Sequence, residues 1–210
     1  MLRQVIIPES HEAEANLRKI RILFGELDGN ILWDGKFDDI PNTVGDASEE
    51  VVKMGVKMFN LHASAGNEAI AKAVANRRSS LVLGVTVLTS IDEGECLSIF
   101  GDKPGNKVVQ FAEMLVKCGA DGIICSAQEL RLLGKYRQFL KVTPGIRPEW
   151  AQKGDQKRVM TPGEAVKAGA DYLVIGRPIR KPPEEIGTPV DAAKEIAEEI
   201  AEAMQEKGEE

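Results

Sequence analysis

"VKMGVKMF" (52–59), "VKCGADGI" (116–123) and "VKAGADYL" (166–173) are three versions of one joint. Each runs off an amphipathic segment through a lysine, turns at a glycine and enters an apolar run within a few residues. Glycine just past the last helical position, after a basic last turn, is a helix stop signal. An apolar run starting so soon afterwards reads as a buried strand. A helix handed directly to a buried strand, three times over, predicts parallel strands joined by crossover helices.

Working outward from the joints, strands are expected at 4–7, 30–33, 57–63, 80–88, 121–125, 139–146 and 171–176. Helical spacing covers 10–27, 49–55, 67–76, 107–119, 127–136, 161–169 and 191–207, and a Gly- and charge-rich connection is expected around 93–106. The fold class is α/β, and the repeated joint favours a TIM (β/α) barrel over a doubly wound sheet. No G-x-G-x-x-G follows the first strand, which weakens a dinucleotide fold further. About seven strands are recognisable where a full barrel has eight, and the shortfall lies before residue 34. The expected organisation is one domain over 1–210, with an atypical N-terminal segment at 1–30. A C-terminal covering helix at 191–207 would turn an acidic face to water.

The chain has 210 residues, 43% of them hydrophobic and 29% charged, and a net charge of −6. That balance suits one sizeable core. It lacks the positive charge that drives binding to a nucleic-acid backbone. No apolar run approaches the ~20 residues of a membrane span, and "MLRQVIIPES" is too short and polar for a secretory signal. Cys96, Cys118 and Cys125 have no zinc-like spacing and read as reduced, mostly buried thiols of a cytoplasmic protein. With His11 and His62 the only histidines, a multi-histidine metal site is not expected.

In a parallel barrel the chemistry gathers at the C-terminal ends of the strands, and polar residues collect there. "DGKFDDIPNT" (34–43) places Asp34, Lys36, Asp38 and Asp39 within six positions at the end of an apolar strand. Side chains two apart on a strand share a face, so Asp34 and Lys36 should point together, as a salt bridge sealing the barrel top or as catalytic groups. A lysine flanked by carboxylates stays protonated, since opposite charge favours its charged form. That suits a proton donor better than a Schiff-base nucleophile. His62 and Ser64, Thr89 and Ser90, "TPGIR" (143–147) and "GRPI" (176–179) close four further strands. "GRP" offers backbone N–H groups and a guanidinium suited to phosphate, with Arg147 one βα unit earlier and "DQKR" (155–158) between them. Trp33 and Trp150 read as packing residues, and His62 as a hydrogen-bonded wall residue.

Together "DGKFDDIPNTV", "FNLHASAG", "VTVLTS", "DGIICSAQE", "VTPGIRP", "DQKRVMTP" and "YLVIGRPI" resemble the bacterial orotidine 5′-phosphate decarboxylase family, in order, from about residue 31 to 200. The resemblance implies a homodimeric TIM barrel that converts orotidine 5′-monophosphate to UMP without metal or cofactor. It makes Lys36 the proton donor and places Asp34 beside the substrate carboxylate. It sends Asp39, with Ile40 and Thr43, to the partner's active site. It sets Thr89 against the pyrimidine, and Arg147, Gln156, Gly176 and Arg177 on the phosphate. The family pattern also has an aspartate and a lysine on strands upstream of Asp34. "QVIIPES" (4–10) ends without either, so a charge array of three members rather than four is expected. In that arrangement 4–7 would be a strand beside 31–34, and 11–27 the crossover helix. Two other readings share these residues. Metal-dependent sugar-phosphate lyases of the same superfamily carry D-x-K-x-x-D, and a catalytically impaired nucleotide-binding relative would keep the phosphate grip without turnover.

Overall fold

The computed structural model describes residues 30–151 and 159–208. The chain divides into two compact units: residues 1–85 with 114–121, and residues 86–113 with 122–210.

The described part of the first unit carries β1 (Leu32–Phe37), α1 (Pro41–Lys53), β2 (Met58–His62), α2 (Asn67–Ala75) and β3 (Leu81–Val85). Its strands run parallel in chain order, with Leu32 opposite Met58 and Met58 opposite Leu81. Val44, Val51 and Val52 of α1, Phe59 and Leu61 of β2, Ile70 and Ala73 of α2 and Leu83 of β3 are buried, which makes the core apolar on both faces of β2. Strands buried on both faces read as continuous apolar runs rather than alternations, as "MFNLH" does apart from one amide. A short 3-10 turn, Ala63–Ala65, follows β2.

The second unit carries α3 (Glu93–Phe100), β4 (Gly122–Ile124), a 3-10 segment (Ala127–Leu133), β5 (Leu140–Thr143), α5 (Pro162–Ala168), β6 (Tyr172–Leu173), α6 (Arg177–Arg180) and α7 (Pro189–Gly208). α4 (Pro104–Cys118) begins in this unit, and its last residues, from Met114, belong to the first. β4 pairs with β5 and β5 with β6, again parallel. α7 packs on α5: Glu199 accepts the Gly163 N–H at 2.7 Å, and Lys207 donates to the Val166 carbonyl at 3.1 Å.

All three joints have the expected form. Gly55, Gly119 and Gly169 adopt φ values of 81°, 76° and 105°, a region that costs any side chain with a Cβ. The second and third joints share a further device. The Asp121 N–H donates to the Val82 carbonyl, while the Asp121 carboxylate accepts the Val82 N–H, both at 2.9 Å. Asp171 does the same to Lys141, at 2.9 Å and 2.7 Å. Each aspartate clips the entry of its own strand to the start of the preceding one. In the first joint Lys57 occupies this position: its backbone N–H donates to the Ile31 carbonyl at 3.0 Å, and its Nζ donates to Asn30 Oδ1 at 3.2 Å.

Six of the expected strands are present, and 4–7 and 11–27 lie outside the described residues. The connection expected around 93–106 instead holds α3 and the start of α4. Asp92 caps α3 by accepting the Glu95 N–H, and Gly101 ends it at φ 71°. Local capping thus makes a helix of a stretch whose composition reads as loop. The helix expected at 127–136 is a 3-10 segment.

Gly84 sets the approach of α4 to β3, because a Cβ there would overlap the buried Leu115 side chain. Gly84→Ala should therefore destabilise the protein by about 1–3 kcal/mol through overpacking. Gly84→Ala combined with Leu115→Ala should cost less than the two changes summed, a coupling that urea unfolding of the four proteins will measure.

Candidate active site

β1 is not a regular strand where its charges lie. Trp33 stands opposite Phe59 and Phe37 opposite Leu61, so Asp34, Gly35 and Lys36 together face Asn60 alone. Extra residues on one strand bend it and re-aim its side chains. Lys36 takes up the bend with φ 46°, which costs a non-glycine residue roughly 1–2 kcal/mol. Gly35 has no room for a side chain. A Cβ there would lie 2.7 Å from the Phe37 ring and 2.8 Å from the Trp33 indole nitrogen.

A closed set of hydrogen bonds holds this geometry. The Lys36 N–H donates to Asn60 Oδ1 at 2.7 Å, and Asn60 Nδ2 donates to Asp34 Oδ1 at 2.6 Å. Lys36 Nζ closes the ring on Asp34 Oδ2 at 2.5 Å. Asn60 is fully buried, while the Lys36 and Asp34 side chains remain 41% and 53% exposed. A fixed amide therefore lies beneath a charge pair that opens to solvent. Asp34 and Lys36 do meet, as expected, but through a bulge rather than the regular two-residue pleat. Asn60 stands outside the residues expected from the sequence. Its signal is a lone amide among the buried apolar side chains of β2, since a buried polar group demands partners.

The electrostatics follow from this placement. Partial burial works to raise the pKa of Asp34. The hydrogen bonds from Lys36 and Asn60, then the charge of Lys36 and more weakly that of His62, outweigh it and leave the carboxyl below its ordinary value. His62, at the end of β2, moves below the ordinary imidazole value. Burial is the leading cause and the Lys36 charge adds to it, against the opposing charges of Asp38 and Asp34.

Asp39, Ile40 and Thr43 lead into and begin α1. The Asp39 carboxylate accepts the Ile40 N–H at 2.7 Å, Ile40 is 67% exposed, and Thr43 is half-buried. In the second unit, Thr89 is buried in the turn region after β3. Arg147 is also buried. Its Nη1 donates to the Ile146 carbonyl at 2.7 Å, and its backbone N–H donates to the Met160 carbonyl at 3.0 Å. Gly176 precedes α6, whose first residue is the exposed Arg177. Gln156 lies outside the described residues. Cys96 and Cys125 are buried and Cys118 partly so, and none of the three forms a disulfide. Among the described residues no helix is long and apolar enough to cross a membrane.

Comparison with known proteins places these residues in a family. Residues 11–196 match the model of the orotidine 5′-phosphate decarboxylase / HUMPS family, a span that takes in much of the 1–30 segment. The orotidine 5′-phosphate decarboxylase of Geotalea uraniireducens is 47% identical over 82% of this chain and 74% of its own length. That of Geobacter metallireducens is 48% identical over the same shares. Among solved structures, orotidine 5′-phosphate decarboxylase from Lactobacillus acidophilus superposes with a TM-score of 0.71 at 31% identity, covering 86% of this chain and 79% of that one.

The lowered His62 pKa fixes a sign. Between its folded value and the ordinary value near 6.5, the unfolded chain binds more protons, so stability rises with pH across that window. Stability should therefore fall as pH drops below about 6.5 toward the lower folded value. Urea unfolding of His62→Gln should show a smaller loss over the same interval than the wild type.

Proposed function

The chain belongs to the orotidine 5′-phosphate decarboxylase / HUMPS family, and on that premise we propose that it decarboxylates orotidine 5′-monophosphate to UMP and CO₂ in pyrimidine biosynthesis. The observation that carries this reading is the Asp34–Lys36 pair, set by the β1 bulge and open to solvent above a buried amide.

The chemistry needs what that pair supplies. When the bond between the ring carbon and the substrate carboxylate breaks, CO₂ leaves and the electron pair stays on the ring carbon. An ammonium held in place stabilises that charge as it develops, then delivers its proton to the same carbon to give UMP. Lys36, left neutral, regains a proton from solvent. Asp34 orients the ammonium and sits beside the departing carboxylate, where like charge disfavours the bound substrate more than the neutral CO₂ that leaves. No step requires a metal or an organic cofactor.

The remaining roles follow the family pattern. Thr89 contacts the pyrimidine, and Arg147, Gln156, Gly176 and Arg177 hold the phosphate. A buried guanidinium already engaged by a backbone carbonyl, as in Arg147, is oriented before an anion arrives. The phosphate takes no part in bond breaking, but its binding energy can position the reacting centre. We further propose a cytoplasmic homodimer in which Asp39, Ile40 and Thr43 serve the partner's site. The apolar Ile40 side chain, two-thirds exposed at the head of α1, supports that placement.

Loss of orotidylate absorbance on adding the protein, unaffected by a chelator, is the direct test. Turnover abolished by chelator would favour a metal-dependent lyase, and UMP binding without CO₂ release would favour an impaired relative. Lys36→Ala should lower kcat by at least a thousandfold while UMP affinity, by calorimetry, changes less than tenfold. A shared site also predicts complementation. Lys36→Ala and Asp39→Ala proteins, each inactive alone, should recover activity when mixed and allowed to exchange subunits, because one site of each hybrid dimer carries neither change.

A further inference from the structure

We propose that Asn60 is a positioning residue for the proton donor, its single buried amide fixing both the backbone of Lys36 and the carboxylate of Asp34. This rests on the reading of Lys36 as donor. A carboxylate has no hydrogen to give and an N–H cannot accept. Only one orientation of the amide therefore satisfies both partners, with Oδ1 on the Lys36 N–H at 2.7 Å and Nδ2 on Asp34 at 2.6 Å. The bulge leaves Asn60 as the one β2 residue facing three residues of β1, so no neighbouring β2 side chain duplicates the contact. Lys36 sits at φ 46°, a conformation that persists only where surrounding contacts over-determine it. Asn60 provides one of those contacts, and with the same group it sets the carboxylate that Lys36 Nζ grips.

The position is buried in the core of β2 between Phe59 and Leu61, so its backbone is fixed independently of the amide. Small errors in the placement of a catalytic group can cost a hundredfold in rate. The amide's two side-chain hydrogen bonds both go to the donor and its carboxylate, so its loss should fall on kcat rather than on KM.

Two variants separate this role from mere packing. Asn60→Ala removes both bonds. Asn60→Asp keeps the shape and the acceptor for Lys36 but sets a carboxylate against Asp34. Two carboxylates at hydrogen-bond distance share a proton at low pH, and the shared proton restores a donor between them. Asp34, Lys36, Asp38 and His62 also carry or exchange charge here, so the profile is read as the ratio of variant to wild type.

Steady-state kinetics on orotidine 5′-monophosphate from pH 5.5 to 8, with hydrogen exchange at the Lys36 amide, form the test. In Asn60→Ala, kcat should fall at least a hundredfold with KM within threefold. The Asn60→Asp to wild-type kcat ratio should rise at least tenfold from pH 8 to 5.5. Lys36 amide exchange should quicken at least tenfold in Asn60→Ala, with Phe59 and Leu61 unchanged. If Asn60→Ala does not fold, the isosteric Asn60→Asp ratio decides. A folded Asn60→Ala with kcat within threefold of wild type, or a flat Asn60→Asp ratio, overturns the proposal. A wild type without decarboxylation defeats the functional reading instead, and the exchange measurement then decides whether Asn60 holds Lys36.

Discussion

One side-chain amide answers two backbone-scale problems in this protein. β1 has to deliver an aspartate and a lysine to the same point, and it does so by carrying more residues than β2 can match. Such a mismatch leaves ladder groups without their usual partners, and an unmade buried hydrogen bond costs about 1–3 kcal/mol. Asn60 takes the place of the missing ladder contact on one side and donates to the Asp34 carboxylate on the other. The glycine at 35, the left-handed Lys36 and the buried polar residue in β2 would each look like a defect alone. Together they are one arrangement.

The charge pair gains from resting on something uncharged and buried. An exposed ion pair contributes little to stability, since water screens it and its side chains lose freedom. Asp34 and Lys36 are about half exposed, so stability alone gives little reason for them. The buried amide removes much of the freedom that an exposed pair would otherwise retain. The result is a charged group held in advance of need, the condition under which electrostatics lowers a reaction barrier most.

The parallel α/β plan was legible because glycines 55, 119 and 169 turn the chain where only glycine turns easily, and all three took that conformation. The motif holding Asp34 and Lys36 was legible for the same kind of reason, a local spacing with a local meaning. Three things were not. α3 depends on Asp92 and Gly101 at its ends rather than on its own composition. The β1 bulge depends on register against β2, which no single strand encodes. Asn60 depends on what lies across the sheet, and within "MFNLH" it is simply one polar letter.

The aspartate clips bear on the entropy of chain closure. Asp121 and Asp171 each tie a strand entry to the start of the preceding strand, spanning 39 and 30 residues respectively. Closing a flexible loop costs entropy that grows only with the logarithm of its length, so the longer span costs about 0.2 kcal/mol more than the shorter. α3 lies within the longer span. A whole helix has thus been accommodated between two clipped strands at almost no entropic expense. Each clip joins strands that follow one another in the chain, so neither waits on a strand from farther along the sequence.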